Sequence, residues 1–198
     1  QISCVGNIRQ LALAANAYAQ DYQEYLPTHY RIQLVAGKEE TNYWPQTLIE
    51  GKYAPIGKPY SDYTPQGTFK CPSYEITNNV AHWRGTTYGM NYATYCKYIS
   101  ADGTILTATN LRQAKNITKV VLIGDGAYVG SASNEKPMGT IWDRFMRYRP
   151  LRKHVGVWNT SFLDFHVESI KAPYSYIEDM GVAGMGYNTS TKLCWFPW

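Results

Sequence analysis

Residues 2–27 read I-S-C-V-G-N-I-R-Q-L-A-L-A-A-N-A-Y-A-Q-D-Y-Q-E-Y-L-P. Cys4, Ile8, Leu11, Ala15, Tyr18, Tyr22 and Tyr25 recur at alternating steps of four and three, while Arg9, Gln10, Asn16, Gln20 and Gln23 fall on the other side. That spacing collects the apolar residues into one stripe, which predicts an amphipathic helix of about seven turns over residues 1–26. Pro27, which cannot donate to a helical ladder, helps to end it. Ser3 is followed three residues later by Gly6, not by Glu or Gln, so no capping box opens the pattern. The segment therefore reads as the distal half of a longer helix that continues upstream.

Downstream the signals change. Residues 27–44 read as loop-rich, and a short helix is expected over 45–50 with a stop at Gly51. Strands are expected at 68–71, 86–98 and 119–124 from their Tyr, Thr and Val content, with a short helix over 111–115 capped by Asn110. Residues 150–170 read as a hairpin with Trp158 and Asn159 near its turn and 161–170 as the return strand. One long helix followed by short strands predicts an α+β fold in which the helix stripe covers one face of a small antiparallel sheet. The whole of 1–198 is expected to form a single domain: helix at 1–26, sheet domain at 27–172 and an irregular extension at 173–198.

Composition agrees with a folded chain. Apolar residues make up 44% of the 198 and charged residues only 17%, which excludes a disordered or coiled-coil polymer. The net charge of +4 is small, and its one cluster, Arg144, Arg147, Arg149, Arg152 and Lys153, reads as a solvated segment; no nucleic-acid partner is expected. The longest apolar run, 120–123, is strand-length, far short of the ~18 residues a membrane helix needs. Cys4, Cys71, Cys96 and Cys194 lie far apart without a C-x-x-C pair, which argues against a compact zinc knuckle; an even count fits disulfides, with three connectivities open, or four reduced buried thiols.

Several landmarks occur in a characteristic order. F-K-C-P-S stands at 69–73, Y-G-M-N at 88–91, V-L-I-G-D-G at 121–126, and R-K-H-V-G-V-W-N-T-S-F-L-D-F-H-V-E at 152–168. With the opening helix, they resemble the bacterial prepilin-type, type II secretion G-like proteins that carry a His, nine residues, Asp-Gly signature. Here His154 and Asp164 have that spacing, but Phe165 replaces the usual Gly. The resemblance covers about residues 2–170 and implies a pilin-like fold and a prepilin-type N-terminus, methylated after leader cleavage. It also implies anchoring or assembly with other pilin-like or secretion-system subunits through an upstream membrane helix. The expected function is that of an exported structural component, periplasmic or at the cell surface, and not of an enzyme. For a chain exported in this way, the favoured pairing is Cys4 with Cys71 and Cys96 with Cys194, the second tying down the C-terminal tail.

For chemistry, His154, Asp164 and His166 form the best polar set. Alternation places Asp164 and His166 on one strand face, and a hairpin brings His154 beside them, an N,O,N set able to hold a divalent ion. The plainer reading has Asp164 accepting backbone hydrogen bonds while the histidines pack, with no cofactor; Asp125, between two glycines, could join the polar set or make an Asx turn, and the turn is the favoured reading. There is no G-x-S-x-G, H-E-x-x-H or P-loop. Trp44, Trp83, Trp142, Trp195 and Trp198, if exposed, would suit stacking on sugar rings, which leaves a surface-displayed carbohydrate- or ligand-binding module as the alternative and a metal-dependent enzyme as the third class.

Overall fold

The computed structural model describes residues 2–28, 30–35, 38–54, 67–73, 86–91, 110–129, 135–137, 140–141, 148–150, 154, 157–171, 187–188 and 193–194. Helix α1 runs over Ile2–Asp21. Its inner face is Cys4, Ile8, Leu11, Ala15 and Ala19, all without solvent exposure, as the four-and-three spacing requires. The helix stops several residues before Pro27. Gln23 and Glu24 adopt left-handed φ values of 54° and 68°, and the Glu24 N–H returns to the Ala19 carbonyl at 2.7 Å, which closes the end in the manner of a Schellman turn. Tyr22 and Tyr25, expected on the buried stripe, consequently lie outside the helix and are exposed. Tyr18 remains at the rim, stacked on Tyr22 at 4.2 Å between ring centroids.

Strands β1 (Tyr30–Val35) and β2 (Lys38–Tyr43) pair as an antiparallel hairpin in the stretch expected to be loop. Its second strand, K-E-E-T-N-Y, is too rich in poor strand formers to read as one. Helix α2 (Trp44–Glu50) follows as expected, with the Tyr43 N–H donating to Gln46 Oε1 at 3.2 Å. The expected strand at 68–71 is instead a single 3₁₀ turn, Gly67–Phe69, opened by Gly67 at φ +51°. The short helix expected over 111–115 is no more than a turn, although Asn110 Oδ1 does accept from the Arg112 N–H at 3.0 Å.

The main sheet is built around β3 (Tyr88–Asn91), β4 (Val121–Val129), β8 (Val157–Phe162) and β9 (Val167–Lys171), antiparallel in the order β3-β4-β8-β9. On its β3 side, β6 (Thr140–Ile141) adds in parallel, while β5 (Glu135–Pro137) and β7 (Tyr148–Pro150) pair with the far end of β4. A separate two-stranded pair, β10 (Tyr187–Asn188) with β11 (Leu193–Cys194), lies in the segment expected to be irregular. The register of β4 against β8 slips by one residue between Val121 and Gly124. There the ladder is mended by hydroxyls: the Ile123 N–H donates to Ser161 Oγ at 3.2 Å, and Thr160 Oγ1 donates to the Ile123 carbonyl at 3.0 Å.

Helix α1 crosses β4, β8, β9 and the 3₁₀ turn. Its stripe meets Leu48, Phe69, Met90, Leu122, Ile123 and Leu163 in one apolar core, so the class is α+β. Trp44 belongs to this core, fully buried with its ring 5.8 Å from that of Phe69, and presents no stacking face to a sugar. Trp83, Trp142, Trp195 and Trp198 lie outside the described residues, as do Cys96 and the basic residues other than Arg149 in the 144–153 cluster. Among the described residues no helix is long and apolar enough to cross a membrane.

Candidate functional site

Five separated segments deliver their side chains to one buried place. Helix α1 contributes Cys4 and Asn7, the loop after the 3₁₀ turn contributes Cys71, β3 contributes Tyr88, β4 contributes Asp125, and the residue three before β8 is His154. Cys4, Cys71, Tyr88, Asp125 and His154 are all at most 3% exposed.

Hydrogen bonds from neighbouring segments hold several of them in place. The loop carrying Cys71 is strapped to the residues just ahead of β3: Thr87 N–H donates to the Phe69 carbonyl at 2.9 Å, and Cys71 N–H donates to Thr87 Oγ1 at 2.6 Å. It is strapped to the helix as well, because Asn7 Nδ2 donates to the Lys70 carbonyl at 2.9 Å and Thr68 Oγ1 donates to Gln10 Oε1 at 3.0 Å. Asn7 Nδ2 also reaches the Tyr88 hydroxyl at 3.2 Å. Asp125 sits mid-strand on β4, not in an Asx turn. Its Oδ2 accepts from the Asn159 backbone N–H at 3.0 Å and from Asn159 Nδ2 at 2.9 Å, across the β4–β8 pair.

The cysteine sulfurs lie 2.6 Å apart. His154 Nε2 stands 3.5 Å from Cys71 Sγ and 3.5 Å from Asp125 Oδ2. Its pKa is raised by the hydrogen bond to Asp125, against the opposing effect of burial. In the reduced state the two thiols shift in opposite directions: the hydrogen bond from Cys71 brings Cys4 down to about 6, while the same contact, with burial, pushes Cys71 up. Burial also pushes Tyr88 up, so its hydroxyl stays neutral.

This geometry does not form a nucleophilic relay. In a Cys–His–carboxylate relay the base uses one ring nitrogen for the thiol and the other for the orienting carboxylate; here both neighbours meet the same nitrogen. As metal ligands, Cys4, Cys71 and His154 bring their atoms within 4.8 Å of one another. Two sulfurs on one tetrahedral zinc, each about 2.3 Å from the metal, stand roughly 3.8 Å apart. The 2.6 Å separation of this pair is far too short for that arrangement.

The set expected from sequence is divided. Asp164 and His166 are together, with Asp164 Oδ1 accepting from the His166 backbone N–H at 3.3 Å and contacting His166 Nδ1, while His166 Nε2 lies 3.3 Å from Glu168 Oε1. They sit in the turn, however, and not on the return strand. The turn falls at 163–166, where Phe165 takes a left-handed φ of 67°, and Trp158 and Asn159 are inside β8. His154 precedes β8 and so lies at the opposite end of that strand from the turn. Strand β8 separates the two histidines by its full length, and an N,O,N site from His154, Asp164 and His166 does not form. Sequence reasoning missed Asn159 and ranked the Asx turn above a place in the site for Asp125. The available signal was a carboxylate inside the apolar run V-L-I-G-D-G, a position that demands a buried partner.

Helix-on-sheet geometry with a buried cysteine–histidine–aspartate cluster thus defines an α+β domain whose polar site lies within the core. Compared with known proteins, the chain matches no protein-family model, no curated protein and no solved structure.

Proposed function

We propose that the chain is the exported part of a pseudopilin-like protein of the type II secretion and type IV pilin kind, with α1 as the distal part of a helix that anchors or assembles it. The supporting observation is the convergence at the buried cluster. The helix, F-K-C-P-S, Y-G-M-N, V-L-I-G-D-G and the histidine of the C-terminal signature each send one residue to it, Cys4, Cys71, Tyr88, Asp125 and His154. Landmarks scattered over 150 residues that meet in one place are coupled by packing, and what they secure is the seating of α1 on the sheet. That suits a protein in which force or assembly contacts arrive through the helix. The role is structural, with other pilin-like subunits as partners and the membrane engaged by a segment upstream of α1.

The test is fractionation of the full gene product from its own cells, together with its mature N-terminal sequence. The expected result is an apolar helix preceding residue 2, a processed and methylated N-terminus, and recovery in membrane or sheared-surface fractions. Recovery only as a cytosolic protein, without such a segment, would overturn the proposal.

A further inference from the structure

We propose that Cys4 and Cys71 close into a disulfide that fastens α1 to the sheet domain. The two sulfurs are 67 residues apart in sequence and 2.6 Å apart in space, wholly within the core. A bond at about 2.05 Å requires them to approach by roughly 0.5 Å, whereas joint ligation of a metal requires them to separate by about 1.2 Å. The surroundings favour the smaller movement. Cys71 is fixed by its N–H on Thr87 Oγ1, and the helix is fixed beside it by Asn7 on the Lys70 carbonyl, so both backbones are set before the sulfurs join.

The oxidant is an external disulfide, either that of a thiol–disulfide oxidase or a small-molecule one. The Cys4 thiolate attacks it, forming a mixed disulfide and releasing one thiolate. Cys71 then gives up its proton and attacks Cys4 Sγ, which expels the second thiolate. Two protein thiols are oxidised by two electrons and one external disulfide is reduced to two thiols. Since neither sulfur is accessible in the folded protein, the first exchange happens before α1 seats fully, and the finished bond is shielded from reductant.

This inference deepens the structural role proposed above, but its readout is separate. Protein is taken from its own cells under acid quench, alkylated in denaturant without reductant, digested and mapped by mass. The expected result is a linked peptide pair containing Cys4 and Cys71, 2 Da lighter than the sum of the reduced peptides. Cys4→Ser, Cys71→Ser and the double variant should each lower the melting temperature by about 10 °C, without additivity, as expected for one bond closing a loop of this length. Full alkylation of both residues would overturn the bond, as would a stoichiometric metal whose removal by chelator lowers the melting temperature. The map on the wild-type protein needs no variant to fold. A linked pair in a protein found only in the cytosol would leave the bond standing and defeat the pseudopilin reading instead.

Discussion

Phe165 stands where the resembled signature has Gly, and its φ of 67° explains why a glycine is suited to that place. The left-handed region costs a non-glycine residue about 1–2 kcal/mol. Phe165 offsets part of this by packing against the core, and the Phe162 carbonyl accepts its N–H at 2.9 Å. Phe165→Gly exchanges conformational relief for lost burial and is expected to stay within about 1 kcal/mol of wild type. Phe165→Val loses packing and places a β-branched residue at positive φ, so it should cost roughly 2–3 kcal/mol. Urea unfolding of the two variants measures the difference; equal losses would show that packing alone governs the site. The two carboxylates were harder to read. Asp164 was legible as an acceptor of backbone hydrogen bonds because it acts on a residue two positions away. Asp125 was not, because its partners lie 34 residues downstream, on another strand.

At the scale of elements, α1 shows how far periodicity reaches. Leu11 and Leu13 are the same residue type two positions apart, yet Leu11 is fully buried in the core and Leu13 is 55% exposed. Leu11→Ala should therefore cost about 2–5 kcal/mol and Leu13→Ala less than about 0.5 kcal/mol, read from denaturant midpoints at constant slope. A comparable loss at both positions would mean that the outer face of α1 is covered in solution. The end of the helix was misread for a physical reason. The apolar spacing continues through Tyr22 and Tyr25, but a left-handed pair at Gln23 and Glu24 turns the chain first, and the Glu24 carbonyl then accepts the N–H of Leu111. A tertiary contact ends the helix where local propensity would continue it.

For the whole molecule, the His154–Asp125 pair links stability to pH. Because the folded pKa of His154 is raised, the stabilisation from protonated His154 is complete below its unfolded value of about 6.5 and is lost as pH rises through the folded value. The melting-temperature gap between wild type and His154→Gln is thus expected to be larger at pH 6 than at pH 9; a gap that grows toward alkaline pH would show that the histidine is held neutral. The experiment uses the bonded Cys4–Cys71 form, in which neither neighbouring sulfur titrates. Sequence by itself determined the α+β class, the helix with its Cys4, Ile8, Leu11 and Ala15 stripe, α2, and Asp164 as an acceptor of backbone hydrogen bonds. All but the class depend on residues within a few positions of one another, where 3.6-residue geometry and single hydrogen bonds leave little choice; the even cysteine count left three connectivities open, and it is the fold that brings Cys4 beside Cys71. Tertiary structure alone decided the β1–β2 hairpin, the end of α1, the parting of His154 from Asp164 and His166, and the pairing of His154 with Asp125. Those outcomes rest on which strands lie side by side, and partner choice across a sheet is set by burial of the whole core, which no local pattern encodes.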